Sequence, residues 1–227
     1  MPELSDVTAE RAYDIGAAAM ASEDYMIAIE AFRRVTDDHP LAPEADDALL
    51  GLADAHRAIR EYALAEHGYM RLMEDYPDSP LVPEAQYKLG LTFYEQSLPA
   101  TLDQSMTRRA LARLNRFLAA YPGSEFSDDA EELKAELRSR LAEKLFLSAE
   151  LYLQLGDLDA AGIYFDQVVE EYPDTPWAPR SLRVWESNLR EAGRTAEADE
   201  VQARRERLFP ASTEEARPAG SGDEAGQ

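Results

Sequence analysis

Apolar and small residues recur along the chain at intervals of three and four positions, in short segments separated by polar or proline-containing stretches. In the first segment Ala12, Ile15 and Ala19 share one face, and in the next segment Ala28 and Phe32 do. This period is that of an amphipathic α-helix. The pattern therefore predicts an all-α chain of short helices that follow one another in pairs.

One spacing occurs five times: an alanine stands twelve residues before a proline. The pairs are Ala28 with Pro40, Ala65 with Pro77, Ala110 with Pro122, Ala161 with Pro173, and Ala198 with Pro210. The residues four positions after these alanines are Phe32, Tyr69, Leu114, Phe165 and Gln202. Residues four apart share a helical face, and the proline ends the helix because it lacks an N–H group. The chain is therefore a tandem repeat of two-helix units.

A two-helix unit of about 34 residues with a closing proline is typical of the tetratricopeptide repeat. HEAT and armadillo units are longer and lack the alanine-to-proline spacing. We predict an all-α, right-handed α-solenoid of five such repeats over residues 1–210. The repeats are expected at about residues 9–40, 45–77, 83–122, 128–173 and 179–210. Residues 211–227 contain no bulky apolar side chain and are expected to form a disordered tail.

Two repeats depart from the regular pattern. The third has an insertion at Gln96 to Met106, after which Ser105 or Thr107 is expected to cap the next helix. The fourth has no proline or glycine from Asp128 to Leu155, which predicts one extended helix of about 42 Å. Because this length exceeds what a repeat needs, we expect the first turns of that helix to stand clear of the array or to form a side surface.

Charge and composition exclude several kinds of partner and site. The chain has 45 acidic and 23 basic residues, and its net charge of -22 argues against nucleic acid or an anionic lipid surface as the main partner. It has no cysteine, which excludes disulfides, thiolate metal sites and cysteine nucleophiles in this sequence. No apolar run approaches the ~18 residues of a membrane span, and the first residues lack the apolar core of a signal peptide.

Enzymatic motifs are also missing from the sequence. The histidines His39, His56 and His67 fall on different elements without the spacing of a metal site, and we find no glycine-rich phosphate loop or nucleophile motif. Acidic pairs such as Asp37-Asp38 and Asp128-Asp129 lie at helix boundaries, where capping and solvation explain them. We therefore expect no cofactor, no metal and no catalytic residue.

A more specific resemblance rests on short motifs in the second half of the chain. They are Asp103-Gln104, Tyr121-Pro122, Ser124, Arg140-Leu141-Ala142, Tyr152, Gly156 and Tyr172-Pro173-Asp174-Thr175. With five repeats, an interrupted third repeat and a long helix, the chain resembles the BamD family of Gram-negative bacteria from Ala9 to about Phe209. These are lipoproteins of the outer-membrane β-barrel assembly machinery (the BAM complex). The resemblance implies a non-enzymatic scaffold at the periplasmic face of the outer membrane.

The resemblance also implies partners. The C-terminal repeats are expected to bind a periplasmic POTRA domain of a BamA-like barrel assembly protein, with Tyr164, Arg183 and Arg190 at the interface. Where the family often presents a basic residue, this chain has Tyr164. Accessory lipoproteins are further implied partners. Family members begin with a signal peptide and a lipid-bearing cysteine; neither stands in this sequence, and we expect the export segment and membrane anchor to precede it.

The N-terminal repeats of the family are held to receive the C-terminal signal strand of unfolded outer-membrane proteins. In tetratricopeptide repeats the ligand groove is lined by positions two, five, nine and twelve of each first helix. These positions are Tyr13, Ala17 and Met20, then Leu50, Asp54 and Arg57, then Tyr87, Leu91 and Tyr94. Tyrosines and methionine suit an extended peptide with an aromatic end, and Arg57 suits its carboxylate. The alternative is that the tyrosines are packing residues between repeats.

Two other functions agree with a tetratricopeptide array. One is another periplasmic adaptor, such as the coordinator of the Tol-Pal system, although that family usually has a coiled-coil N-terminal segment and fewer repeats. The other is a cytoplasmic peptide-binding adaptor or chaperone partner. Neither alternative requires an enzymatic site.

Overall fold

A computed structural model of the chain describes residues 7–210, and over this range the ordered elements are ten α-helices. In chain order they are α1 (Ala9–Ala21), α2 (Tyr25–Asp38), α3 (Ala45–Ala58), α4 (Tyr62–Asp75), α5 (Val82–Glu95), α6 (Ser105–Ala120), α7 (Ser127–Gln154), α8 (Leu158–Glu171), α9 (Trp177–Glu191) and α10 (Thr195–Leu208). The predicted tail, residues 211–227, lies outside the described residues. The all-helical fold of tetratricopeptide repeats is confirmed.

The five alanines of the repeat spacing are all fully buried. They lie in the second helix of each pair, where a small side chain lets the neighbouring helix approach. The large side chains one turn later are also buried in the first four pairs, at Phe32, Tyr69, Leu114 and Phe165. The close approach is visible where the ring of Phe32 lies against Gly16 of α1, at a position where a Cβ atom would come within 2.6 Å of it. The repeat spacing thus identifies the packing contacts between paired helices.

The second helix of every pair ends two residues before the repeat's proline. In each case the residue immediately before the proline still donates its backbone N–H to the carbonyl four positions earlier, as Tyr76 does to Leu72 at 2.9 Å. The proline itself cannot continue the ladder, and it disfavours the α-helical conformation at the preceding residue, where φ lies between -134° and -128° and ψ between 49° and 67°. These two effects set the C-terminal end of α2, α4, α6, α8 and α10.

Tight turns with a left-handed residue join the helices within four of the pairs. Those residues are Glu23, Arg60, Gly156 and Gly193, with φ between 61° and 77°. At each turn the next N–H bonds back five residues, as Glu61 N–H does to the carbonyl of His56 at 2.8 Å. A hydrogen bond of this kind across a left-handed residue is typical of the Schellman motif, in which that residue is usually glycine. Two of the four turns use a residue with a side chain instead.

The described residues divide into two compact units, an N-terminal one up to Leu141 and a C-terminal one from Ala142, with the division inside α7. In the N-terminal unit a core built around Tyr69, Leu114 and Phe117 continues onto Leu137 of α7. Ala130 and Leu137 are fully buried. Of the two alternatives expected for the first turns of α7, standing clear of the array is wrong, because one face of these turns packs into the core of this unit. The charged residues occupy the other face, which agrees with the alternative of a side surface.

The insertion of the third repeat is held together by one buried glutamine. The side-chain amide of Gln104 donates to the backbone carbonyls of Leu98, Pro99 and Leu102, at 3.3, 2.8 and 3.2 Å. Its carbonyl accepts from the hydroxyl of Thr107 at 2.8 Å. The predicted caps Ser105 and Thr107 are wrong, because the carboxylate of Asp103 accepts the N–H of Ser105 at 3.0 Å, where α6 begins. The hydrogen bonds from Ser105 lower the pKa of Asp103.

In the C-terminal unit the core lies between the second half of α7 and helices α8 to α10. Phe146 and Phe165 are fully buried, with ring centroids 5.7 Å apart, and Leu182 and Leu189 of α9 complete the layer. Helix α10 buries Ala198 and Val201 and is otherwise polar. Such a polar last helix suits the end of a repeat array, because no further repeat covers it. Over residues 7–210 no helix has both the length and the apolar character needed to cross a bilayer.

Candidate functional site

The residues of the predicted groove lie on the first helices α1, α3 and α5 of the N-terminal unit. We call this surface the first-helix groove. Two of its positions are packing residues. Leu50 and Tyr87 are each 8% exposed. The ring of Tyr87 stacks on Phe126 at 5.0 Å and contacts Phe117 at 5.7 Å. For Tyr87 the structure favours the packing alternative that the sequence left open for the tyrosines, and Leu50 is a packing residue as well.

The other groove positions keep part of their side chains accessible. Tyr13 and Met20 of α1 are half-buried, and the Tyr13 ring lies 5.9 Å from that of Phe32. Leu91 and Tyr94 of α5 are half-buried as well. An apolar surface of moderate size is therefore available on α1 and α5.

Arg57, the predicted cation of the groove, is already engaged. Its Nη1 donates to Glu95 at 2.5 Å, and its Nε donates to the hydroxyl of Tyr69 at 3.3 Å. The Tyr69 hydroxyl in turn donates to Asp54 at 2.6 Å. A guanidinium held by two partners on different helices has a fixed position. An incoming carboxylate therefore has to share Arg57 with Glu95 or displace it.

A second cation lies beside this network. Lys88 pairs with Asp54 at 2.6 Å and with Glu84 at 2.7 Å. The carboxylates of Asp54, Glu84 and Glu95 thus face two cations, Arg57 and Lys88. This part of the groove carries no excess positive charge of its own.

Arg60, which was not among the predicted site residues, adds a positive charge beside this network. Arg57, Ala58, Arg60, Tyr62 and Glu95 line an open pocket of about 340 Å³, which we call the Arg57–Arg60 pocket. Arg60 is exposed, and its side chain makes no hydrogen bond or ion pair with any residue between positions 7 and 210. The signal in the sequence was the three-residue spacing of Arg57 and Arg60 across a helix end. The left-handed backbone of Arg60 was not visible in it.

Tyr94 closes the groove on the α7 side. Its hydroxyl donates to Glu136 at 2.5 Å, and Glu136 also pairs with Arg140 at 2.5 Å. The hydrogen bond to Glu136, followed by burial, raises the pKa of Tyr94. Arg140 also donates to Ser97 at the start of the insertion. The groove tyrosine is therefore oriented by a polar chain that joins α5, the insertion and α7.

In the C-terminal unit, apolar side chains cluster around the turn between α7 and α8. Tyr152 and Tyr164 stack with ring centroids 5.3 Å apart. Next to them along α7 and α8, Leu151, Leu155 and Ile163 are exposed. We call these five residues the Tyr152 patch. Exposed apolar side chains gathered at one place are typical of a protein interaction surface.

The two predicted interface arginines differ in their surroundings. Arg190 pairs with Glu186 at 3.4 Å and Asp199 at 3.0 Å and donates to Gln202 at 2.7 Å. Arg183, two helical turns earlier on α9, is exposed and has no hydrogen-bond or ion-pair partner in the described part of the chain. Of the two, Arg183 is the one available to a partner.

The histidines show no metal-binding arrangement. His56 is buried, with its Nδ1 2.7 Å from a carboxylate oxygen of Glu61. Between positions 7 and 210 no group of three or more histidine and acidic residues is placed to hold a metal ion.

Comparison with known proteins gives matches over most of the chain. The family model YfiO, described as outer membrane lipoprotein, matches residues 5–204. Outer membrane protein assembly factor BamD of Caulobacter vibrioides is 29% identical over 173 residues, covering 76% of this chain but 57% of that protein's own length. BamD of Vibrio cholerae is 25% identical over 191 residues, covering 80% of this chain and 79% of that protein. A thermophilic tetratricopeptide protein of Thermus thermophilus superposes with a TM-score of 0.42 at 18% identity, covering 91% and 94% of the two chains.

Proposed function

The chain belongs to the YfiO family of outer membrane lipoproteins, and from this premise we propose that it is a non-enzymatic scaffold of the β-barrel assembly machinery at the periplasmic face of the outer membrane. The observation that carries the proposal is the match to the family over most of the chain, with relatives named as outer membrane protein assembly factors. The same match favours this role over the two alternatives, a Tol-Pal type coordinator and a cytoplasmic adaptor.

Within this role, the Tyr152 patch is the proposed contact with the POTRA region of a BamA-like protein. Its stacked tyrosines offer a large, rigid apolar area with hydroxyl groups at the edge, which suits the centre of a protein interface. Arg183 supplies a charge without a partner among residues 7–210, so pairing it with a carboxylate of the partner breaks no ion pair there. Accessory lipoproteins of the machinery are further proposed partners.

Substitution in the Tyr152 patch tests this contact. We expect Ile163→Glu in the full chain to weaken binding to the cognate POTRA region by about tenfold or more, since it places an unpaired charge in an apolar interface. Ile163 is 60% exposed, so the fold should tolerate the change. The matched control is Met26→Glu, at an exposed methionine of α2, with affinity measured by calorimetry. Equal weakening by both variants, or by neither, contradicts the assignment of the interface to the C-terminal unit.

The first-helix groove is the proposed site for the C-terminal segment of unfolded outer-membrane proteins. Tyr13, Met20, Leu91 and Tyr94 offer accessible apolar surface to an extended peptide with a terminal aromatic residue. The terminal carboxylate is assigned to the Arg57–Arg60 pocket, where Arg60 has no partner among residues 7–210 and Arg57 is shared with Glu95. An extended segment loses conformational entropy on binding, so we expect an affinity on the order of micromolar.

A peptide with a terminal phenylalanine tests the groove. We expect that amidating its C-terminus, or replacing Arg60 with alanine, weakens binding by about tenfold, and that both changes together cost little more than either alone. Such non-additivity is expected because both remove the same ion pair. The Arg60 effect should shrink at high salt, because exposed charges are screened.

The matched control is Arg33→Ala, an exposed arginine of α2 outside the groove. If amidation and Arg60→Ala act additively, the carboxylate does not bind at this pocket. If deleting the terminal phenylalanine leaves the affinity unchanged, the groove does not read this signal. In either case the proposed contact with the POTRA region is tested separately.

A further inference from the structure

A second concave surface lies between the second helices α4 and α6, away from the residues assigned above. Met70, Met73, Glu74, Gln86, Arg113 and Arg116 line an open cleft of about 280 Å³, which we call the α4–α6 cleft. Met70 is exposed and Met73 is half-buried. Methionine side chains are flexible and polarisable, so they adapt to apolar groups of different shapes.

The floor of the cleft contains an amide without a partner. Gln86 is 9% exposed, and its side chain makes no hydrogen bond to any residue of the described chain, positions 7–210. Its side-chain oxygen and nitrogen are not among the fully buried unpaired polar atoms of residues 7–210, which are Ser181 Oγ and Arg205 Nε, so the amide is open to water in the cleft. The amide of Gln86 is thus placed to pair with a polar group that enters the cleft.

The rim is basic in a strongly acidic chain. Helix α6 carries four arginines and no acidic residue, although the net charge of the chain is -22. Arg109 is neutralised by Glu66 at 3.0 Å and lies over the ring of Phe93. Arg113 and Arg116, which line the cleft, have no hydrogen-bond or ion-pair partner between residues 7 and 210. Glu74 also lines the cleft and is ion-paired with neither.

We propose that the α4–α6 cleft is a docking site for an acidic segment of another protein. An apolar side chain of that segment packs between Met70 and Met73, and its backbone or a side-chain carboxylate pairs with the amide of Gln86. Further carboxylates bind Arg113 and Arg116, which lie one turn apart on α6 and so suit acidic residues spaced by one helical turn. Five of the six lining residues lie on the second helices α4 and α6, and Gln86 lies on the first helix α5. None of the six belongs to the first-helix groove or the Tyr152 patch.

A labelled peptide provides the test in the full-length protein. The probe is a short fluorescein-labelled peptide of leucines and glutamates with one helical-turn spacing, followed by fluorescence anisotropy. We expect it to bind, and Arg116→Glu to weaken it by about tenfold or more. A version with lysines in place of the glutamates should bind the variant with Arg113→Glu and Arg116→Glu better than it binds the unaltered chain. Gln86→Leu, which keeps the size of the side chain, should weaken binding as well.

The chain supplies two matched controls. Arg108→Glu makes the same charge change on α6 at an exposed arginine that does not line the cleft, and we expect it to leave binding within about twofold. A peptide of residues 211–227 is acidic but has no bulky apolar side chain, so it should bind more weakly than the leucine peptide. The proposal is overturned if the leucine peptide does not bind, if Arg108→Glu and Arg116→Glu act equally, or if the tail peptide binds as well. The last two outcomes indicate diffuse charge attraction or the chain's own tail instead of a built site.

Discussion

Replacing Phe165 with alanine is expected to lower the free energy of unfolding by about 3 to 5 kcal/mol, because the ring is fully buried and its loss leaves a cavity that the surrounding helices cannot close. Phe165 lies 5.7 Å from Phe146 in the core of the C-terminal unit. It belongs to the repeat spacing, so neighbouring helices contact it on several sides. A matched control is Ile163→Ala on the same helix, which should stay within about 0.5 kcal/mol because Ile163 is exposed.

Tryptophan fluorescence makes this measurement selective. Both tryptophans of the chain, Trp177 and Trp185, lie in the C-terminal unit. Denaturant unfolding followed by their emission therefore reports on the unit that contains Phe165. A shift smaller than about 1 kcal/mol would show that the register of α8 against its neighbours is not the one described, since such a value is too small for a fully buried ring.

Removing Tyr69 is the second change with a large expected effect. Its ring is fully buried in the N-terminal unit, and its hydroxyl joins Arg57 and Asp54. We expect Tyr69→Ala to cost about 3 to 5 kcal/mol from the loss of the ring. Tyr69→Phe keeps the ring and should cost about 1 to 3 kcal/mol, because the two polar partners lose a hydrogen bond in a partly buried place. Circular dichroism is the suitable probe, since this unit has no tryptophan.

The Tyr69 hydroxyl also gives an alkaline signature. Burial, together with the adjacent Asp54, raises the pKa of Tyr69 well above its ordinary value of about 10. The neutral hydroxyl is thus the form that the fold stabilises. Its contribution is complete below pH ~10 and is lost as the pH rises above that value towards the raised pKa of the folded state. Tyr69→Phe should therefore lose less stability than the unaltered chain on going to alkaline pH.

Short-range patterns were the part of the fold that the sequence predicted well. The alanine-to-proline spacing located the buried alanines, and the prolines located the ends of the second helices, because both effects act within one or two helical turns. The insertion and the extended fourth-repeat helix were also predicted, since each depends on where helix-breaking residues stand. That one face of the first half of α7 packs into the core was not predicted, because its burial depends on residues distant along the chain, such as Tyr69 and Leu114.

The site was harder to predict for the same reason. Arg57 was identified as a cation, but its partner Glu95 is 38 positions away along the chain. Arg60 and Gln86 carried no pattern that separates them from ordinary polar residues of a helix or a turn. Among residues 7–210 the side chain of Arg60 has no ion-pair partner, and that of Gln86 has no hydrogen-bond partner. Neither fact can be read from the sequence, because both depend on how the helices pack together.

At the left-handed turn of Arg60, backbone stability favours glycine, whereas the proposed ligand pocket requires arginine. Of the three equivalent turns, two use Gly156 and Gly193, which adopt positive φ without steric cost, and one uses Glu23; a residue with a Cβ loses about 1 kcal/mol at such a turn. Glycine at position 60 would therefore relieve the backbone and at the same time remove the guanidinium that we propose as the carboxylate-binding group of the pocket. Directed evolution that selects for heat resistance alone should therefore replace Arg60 with glycine. If variants selected for function as well keep the arginine, a requirement other than folding stability maintains it.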